Sequence, residues 1–355
     1  MCLTKKTNAV WSGNRVLILA VALLAIGQAL LEAAPRPQQP KPPAVQPTQP
    51  RPTQPTQPRP AQPAPAGQRR EKIPPPEEIS GSQLQTRDGV QLSATFFPGM
   101  KEKDSVPVLL LHNWKSSRKE FAVLAPELQK IGCAVLVPDL RGHGSSTKQM
   151  VYSRKGLQER ELDAAKFKKP DFLNIRVNDM AALRGFLVKK NNAGELNLNK
   201  LVVVGSEMGA TIAVLWAAYD WSIPNYEHAG IKQSQDVKAL VLISPELDYK
   251  GLDMSKIVNA PGAVRDRLSV MLLVGGEDTG RLKDAQTIES RLVTNRSQPE
   301  ALPERKVLLV PPLPTKMQAE QLLNFRDFPI PKMICHFIET QVIKDEPDAV
   351  WMEHK

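Results

Sequence analysis

Residues 201–215 read Leu-Val-Val-Val-Gly-Ser-Glu-Met-Gly-Ala-Thr-Ile-Ala-Val-Leu and change character twice. The opening aliphatic run, Leu201–Val204, is mostly β-branched and lacks alternation, so it suits a strand buried on both faces. Gly205 and Gly209 then bracket three residues, the pattern of a tight reversal in which backbones approach closely. From Met208 to about Tyr219 the residues suit a buried helix. A buried strand, a tight turn and a buried helix in succession are the unit from which parallel sheets are built.

Outward from this unit the same alternation recurs. Continuous apolar strands are expected at Val106–Leu111, Ala134–Pro138, Val237–Ile243, Ser269–Val274 and Lys306–Val310. Helical patterns run over Glu120–Gly132, Val177–Lys189 and Lys332–Val342. Gln83–Arg87 and Val90–Phe97 flank Asp88-Gly89, which predicts a hairpin. The basic residues from Lys148 to Lys169 are interleaved with Glu159, Glu161 and Asp163, which predicts a solvated helical surface.

The 355-residue chain carries a net charge of +10 and 32 prolines, but unevenly. Its first 78 residues hold ten Lys or Arg against four acids, so most of the excess charge lies outside the α/β region. That removes the basis for a nucleic-acid partner. Lys5, Lys6 and Arg15 precede an apolar run over residues 16–31, the pattern of an export signal. It predicts export to the periplasm or cell envelope, either by a cleaved signal or with residues 16–31 kept as a membrane anchor. Pro35 to Gly67 repeats Gln-Pro, Thr-Gln-Pro and Arg-Pro, an extended spacer. The expected organisation is signal or anchor over 1–34, spacer over 35–78 and one α/β domain over 79–355. Three cysteines without CxxC or a His/Cys cluster indicate neither a disulfide framework nor a metal site, and no cofactor is expected; whether Cys133 and Cys335 pair stays open.

Three segments carry a resemblance. His112-Asn113-Trp114 follows the strand at Val106–Leu111. Pro138-Asp139-Leu140-Arg141-Gly142-His143-Gly144-Ser145 follows the next. Val204-Gly205-Ser206-Glu207-Met208-Gly209-Ala210 forms the reversal quoted first. In that order they resemble the strand-His-Gly-x, D-x-R-G-x-G-x-S and G-x-S-x-G segments of the α/β-hydrolase family. The resemblance covers roughly Gln83 to Val342. The compact, capless type related to serine esterases and dienelactone hydrolases is the most similar, because a short connection joins Ile243 to Ser269. It implies an α/β fold with a mostly parallel, twisted sheet of about eight strands and helices on both faces.

The family's chemistry needs a nucleophile on a strained elbow, a histidine base and an acid that orients it. Carried over position by position, the resemblance puts Glu207 where the nucleophile stands, with Ser206 displaced to a neighbouring position. The acid position falls on Thr279, or on Asp278 if the loop shifts by one residue. The Thr315-Lys316-Met317 echo places Leu313 where the histidine belongs. Gly205 and Gly209 keep the elbow, and the N–H groups of Trp114 and Met208 would form the oxyanion hole. His112 and His143 are expected to be structural loop residues. Asn113 is expected to replace a glycine at positive φ, and the Glu207 carboxylate to cap the following helix and fill the oxyanion pocket. Two readings follow: a non-catalytic homologue that binds a small molecule or protein or serves a structural role, or a hydrolase using Glu207 as a carboxylate nucleophile or a relocated base.

Overall fold

The computed structural model describes residues 73–225, 231–294, 306–344 and 349–355. The export run and almost all of the proline spacer lie outside these residues. Eight strands form one sheet. They are β1 (Glu77–Ile79), β2 (Ser93–Phe97), β3 (Pro107–Leu111), β4 (Ala134–Asp139), β5 (Leu201–Ser206), β6 (Val237–Ile243), β7 (Ser269–Leu273) and β8 (Val307–Leu309). Their order is β1-β2-β4-β3-β5-β6-β7-β8. From β4 to β8 every pairing is parallel, while β1 and β2 run antiparallel to their neighbours. Every residue of β3, β4 and β5 is buried, which is why these strands read as unbroken apolar runs.

Five helices matter for the site: α1 (Leu124–Lys130), α2 (Met180–Asn192), α3 (Met208–Ser222), α4 (Thr279–Thr294) and α5 (Ile330–Ile338). They belong to two separate apolar cores, as a sheet covered on both faces requires. One core gathers α2 and α3 with residues such as Leu183, Leu187, Ile212 and Trp216. The other gathers α1 and α5 with Leu124, Leu128, Ile334 and Phe337, together with Cys133 and Cys335, which are buried free thiols. Among the described residues no helix is long and apolar enough to cross a membrane.

Three expectations need correction. Gly81–Leu84 is a short 3-10 turn, so Asp88-Gly89 closes only a bridge between Gln85 and Gln91. The partner of β2 is instead β1, whose Ile79 is buried opposite Ala94. The folded region therefore begins by Glu77, inside the expected spacer. Residues 148–161 form a β-hairpin, Lys148–Ser153 against Gly156–Glu161, turning at Arg154-Lys155, with Gly156 just after the turn at φ 94°. Its second strand is exposed throughout, so no apolar alternation marked it as a strand.

Candidate active site

β5 delivers the chain to Glu207, which adopts φ 43° and ψ −102° before α3 begins. Side chains other than glycine rarely accept such a conformation, and it is held from every side. A Cβ on Gly205 would stand 2.3 Å from the Gly209 carbonyl, and one on Gly209 would stand 2.0 Å from the Leu111 carbonyl oxygen. The Glu207 N–H donates to the Ile243 carbonyl at 2.9 Å, tying the turn to β6. A sharp strand-to-helix elbow thus presents a carboxylate where a nucleophile would sit.

The carboxylate does not fill the oxyanion pocket and makes no capping bond to α3. One oxygen pairs with Arg281 Nη2 at 3.1 Å, and the other accepts from the Asn113 side-chain amide. It is the Asn113 amide oxygen that meets the expected oxyanion donors: Trp114 N–H at 2.6 Å and Met208 N–H, more weakly, at 3.5 Å. Asn113 is not at positive φ; that conformation belongs to Lys115, at φ 61°. The asparagine is used for its side chain, whose carbonyl imitates a bound substrate oxygen while its NH₂ group is held by Glu207.

Arg281 projects from the first turn of α4 and also pairs with Glu246, which follows β6. Burial holds Glu246 above the ordinary carboxylate range, with Arg281 opposing the shift. Tyr249 lies close enough that burial and the charges of Glu207 and Glu246 push its phenol well up, keeping it neutral. Trp114 anchors its indole N–H on the Ala164 carbonyl at 3.1 Å, and Lys250 Nζ stands 3.5 Å from its ring centroid. Arg281, Glu246, Tyr249 and Lys250 were not identified from the sequence. The only signal was position, since each lies just beyond a strand whose end faces the elbow.

The remaining triad-equivalent positions hold other structure. Asp278 accepts the N–H groups of Gly280 and Arg281, each at 3.1 Å, and so caps α4, which Thr279 opens. Leu313 bridges to Gly275 and packs against the core that contains α5. Ser206 is fully buried beside Glu120, whose carboxyl is raised by that burial.

Neither loop histidine is available as a base. His112 Nδ1 bonds the Asn113 carbonyl at 2.6 Å, and its Nε2 accepts the Leu140 N–H at 3.0 Å. Burial and the neighbouring His143 depress His112 to about 3, so it is neutral. His143 is buried on the Arg141 carbonyl and is likewise lowered by burial. Arg141 itself is clamped between Asp88 and Asp179, both at 2.7 Å, which fixes the loop. Among the described residues no histidine hydrogen-bonds Glu207, and no three His, Cys, Asp or Glu side chains converge to hold a metal.

Residues 106–268 match the family model described as the alpha/beta hydrolase fold. Among solved structures, an esterase of Pyrococcus furiosus superposes with a TM-score of 0.50 at 15% identity, covering 76% of this chain and 91% of that one. Thermogutta terrifontis esterase 2, phosphonylated by cyclosarin, superposes with a TM-score of 0.52 at 13% identity, covering 76% and 93%. Such identities speak for the fold and not for the reaction. No curated protein sequence matches the chain.

Proposed function

Because the chain belongs to the α/β-hydrolase fold family, we propose that it has kept the scaffold and given up ester hydrolysis, serving as a binding or structural domain. One observation carries this reading: the Asn113 side chain occupies the two N–H groups that would stabilise a developing oxyanion. Losing a single such donor costs an esterase-type reaction on the order of 10²–10³ in rate. Glu207, tied to Arg281 and Asn113, and Leu313, in place of a base, support the same conclusion. The purified chain, given p-nitrophenyl acetate and butyrate and a fluorophosphonate probe, should hydrolyse at the buffer rate and stay unlabelled. Turnover above that rate, or labelling at Ser206, overturns the proposal.

A second reading rests on the elbow itself. Glu207 keeps a strained conformation suited to presenting a nucleophile, and a carboxylate can form an ester intermediate. It requires that Glu207→Gln abolish a turnover which the unaltered protein displays.

The N-terminal segment adds a location to the proposal. Residues 1–34 direct the chain across a membrane. Fractionation with N-terminal sequencing tests this: a cytoplasmic, untrimmed chain contradicts it.

A further inference from the structure

Toward the far end of α3, roughly 14–20 Å along the axis from Glu207, a cavity of about 420 Å³ opens between α2 and α3. Its walls combine two features that seldom meet without a reason. Arg87 and Arg176 both line it, and neither side chain makes a hydrogen bond or ion pair with any described residue. Beside them stand Trp216 and two of the chain's exposed large apolar side chains, Val177 and Tyr219, which are 52% and 53% exposed.

Two of the other charged groups here, Arg184 and Asp220, are already committed. Arg184 is spent on Asp236 and on the Gln233 and Lys355 carbonyls. The lining carboxylate, Asp220, accepts the N–H groups of Gln235, Asp236 and Val237 at 3.1, 2.7 and 3.1 Å. What remains is a pair of guanidiniums, with Lys355 as a further cation, facing Trp216, Val177 and Tyr219. Gly185 contributes to the same opening. It lies within α2, where glycine weakens a helix, and a Cβ placed on it would meet nothing within 4 Å. Its missing side chain relieves no clash; it leaves the cavity unfilled.

We propose that this cavity binds an oxyanion borne on an apolar ring or chain, the guanidiniums taking the head group and Trp216, Val177 and Tyr219 the body. Guanidinium forks match planar carboxylates and phosphates bidentately, and the volume falls within the range of small-molecule sites. The site is separate from the elbow and does not depend on whether the elbow turns over substrate.

Calorimetric titration of the full chain with 1-naphthyl phosphate, 1-naphthoate, 1-naphthalenemethanol and inorganic phosphate tests it. Saturable binding of either aryl anion is expected, with the neutral alcohol and inorganic phosphate each at least tenfold weaker. The tighter of the two aryl anions identifies the head group as phosphate or carboxylate. Arg87→Gln combined with Arg176→Gln should weaken binding at least tenfold, and Gly185→Leu should block it by filling the space. Should Gly185→Leu fail to fold, the arginine variant decides alone. No saturable binding, equal binding of the neutral alcohol, equal binding of inorganic phosphate, or an arginine variant that binds as tightly as the unaltered chain would overturn the proposal.

Discussion

The two ends of α3 solve the same electrostatic problem in opposite ways. At its start, Asn113, Glu207, Arg281 and Glu246 satisfy one another, and the two oxyanion donors are taken up by a side chain of the protein itself. At its far end the carboxylates are just as fully engaged, Asp220 by three backbone N–H groups and Asp236 by Arg184 and His354. Yet Arg87 and Arg176 are left over, beside empty volume. A closed polar network needs no ligand to complete it, whereas unpaired guanidiniums at a cavity can still gain charge-assisted bonds. The oxyanion place on the hydrolase scaffold is the one already filled, and the unpaired guanidiniums lie where the family's motifs do not point.

Removing one carboxylate from each end should expose the difference most sharply. Asp236 has no solvent exposure, and its loss strands Arg184 and the buried His354 contact. Asp236→Ala should cost about 3–5 kcal/mol in urea unfolding, the usual result of breaking a buried ion pair from one side. Glu207 is 13% exposed and sits in a strained conformation. Glu207→Gly gives up a partly solvated pair but recovers about 1–3 kcal/mol of backbone strain. Its net effect should therefore lie near zero or be stabilising. Equal losses in the two variants would mean that the elbow network is as deeply committed as the far cluster.

Acid should act first through the histidines beside the elbow. His112 falls to about 3 in the folded state, from an ordinary value near 6.5. Between those values the unfolded chain binds the proton and the folded chain does not. Stability is therefore full above about pH 6.5 and falls as pH drops, by about 1.4 kcal/mol per unit for this one group. Going from pH 7 to pH 5 should cost about 2 kcal/mol in urea midpoints converted to free energy, with His143, lowered for the same reason, adding to the loss. A flat profile over that range would mean that His112 can take its proton in place.

Much of this architecture was legible because burial writes itself into sequence. Val237–Ile243 and Leu201–Val204 read as strands since parallel strands covered on both faces need largely apolar side chains. The 148–161 hairpin was not legible: both its faces meet water, so its alternating charges matched a solvated helix equally well. At the elbow, glycine spacing alone located Glu207, because Gly205 and Gly209 are fixed by backbone contact. What Glu207 touches was hidden. Arg281 and Glu246 reach it from α4 and from the end of β6, elements that only the sheet brings together. Asn113 was misread for a related reason: it was judged by the backbone conformation asparagine tolerates, while the fold uses its amide.

Glycine to alanine, made at Gly209 in the elbow and at Gly185 on α2 beside the far cavity, gives the smallest effect and a change of sign. Gly209→Ala would drive a methyl group to 2.0 Å from the Leu111 carbonyl oxygen, so either β3 or α3 must move. Gly185→Ala places the same methyl group in open space on α2 and restores helix propensity, which should stabilise the chain by about 0.5–1 kcal/mol. The gain would be read as a rise in melting temperature at fixed pH. A methyl group is too small to fill about 420 Å³, so the same variant should still bind the aryl anion. Destabilisation by Gly185→Ala would instead show that the opening beside it closes in solution, and the contrast between a sealed elbow and an open far end would fail there.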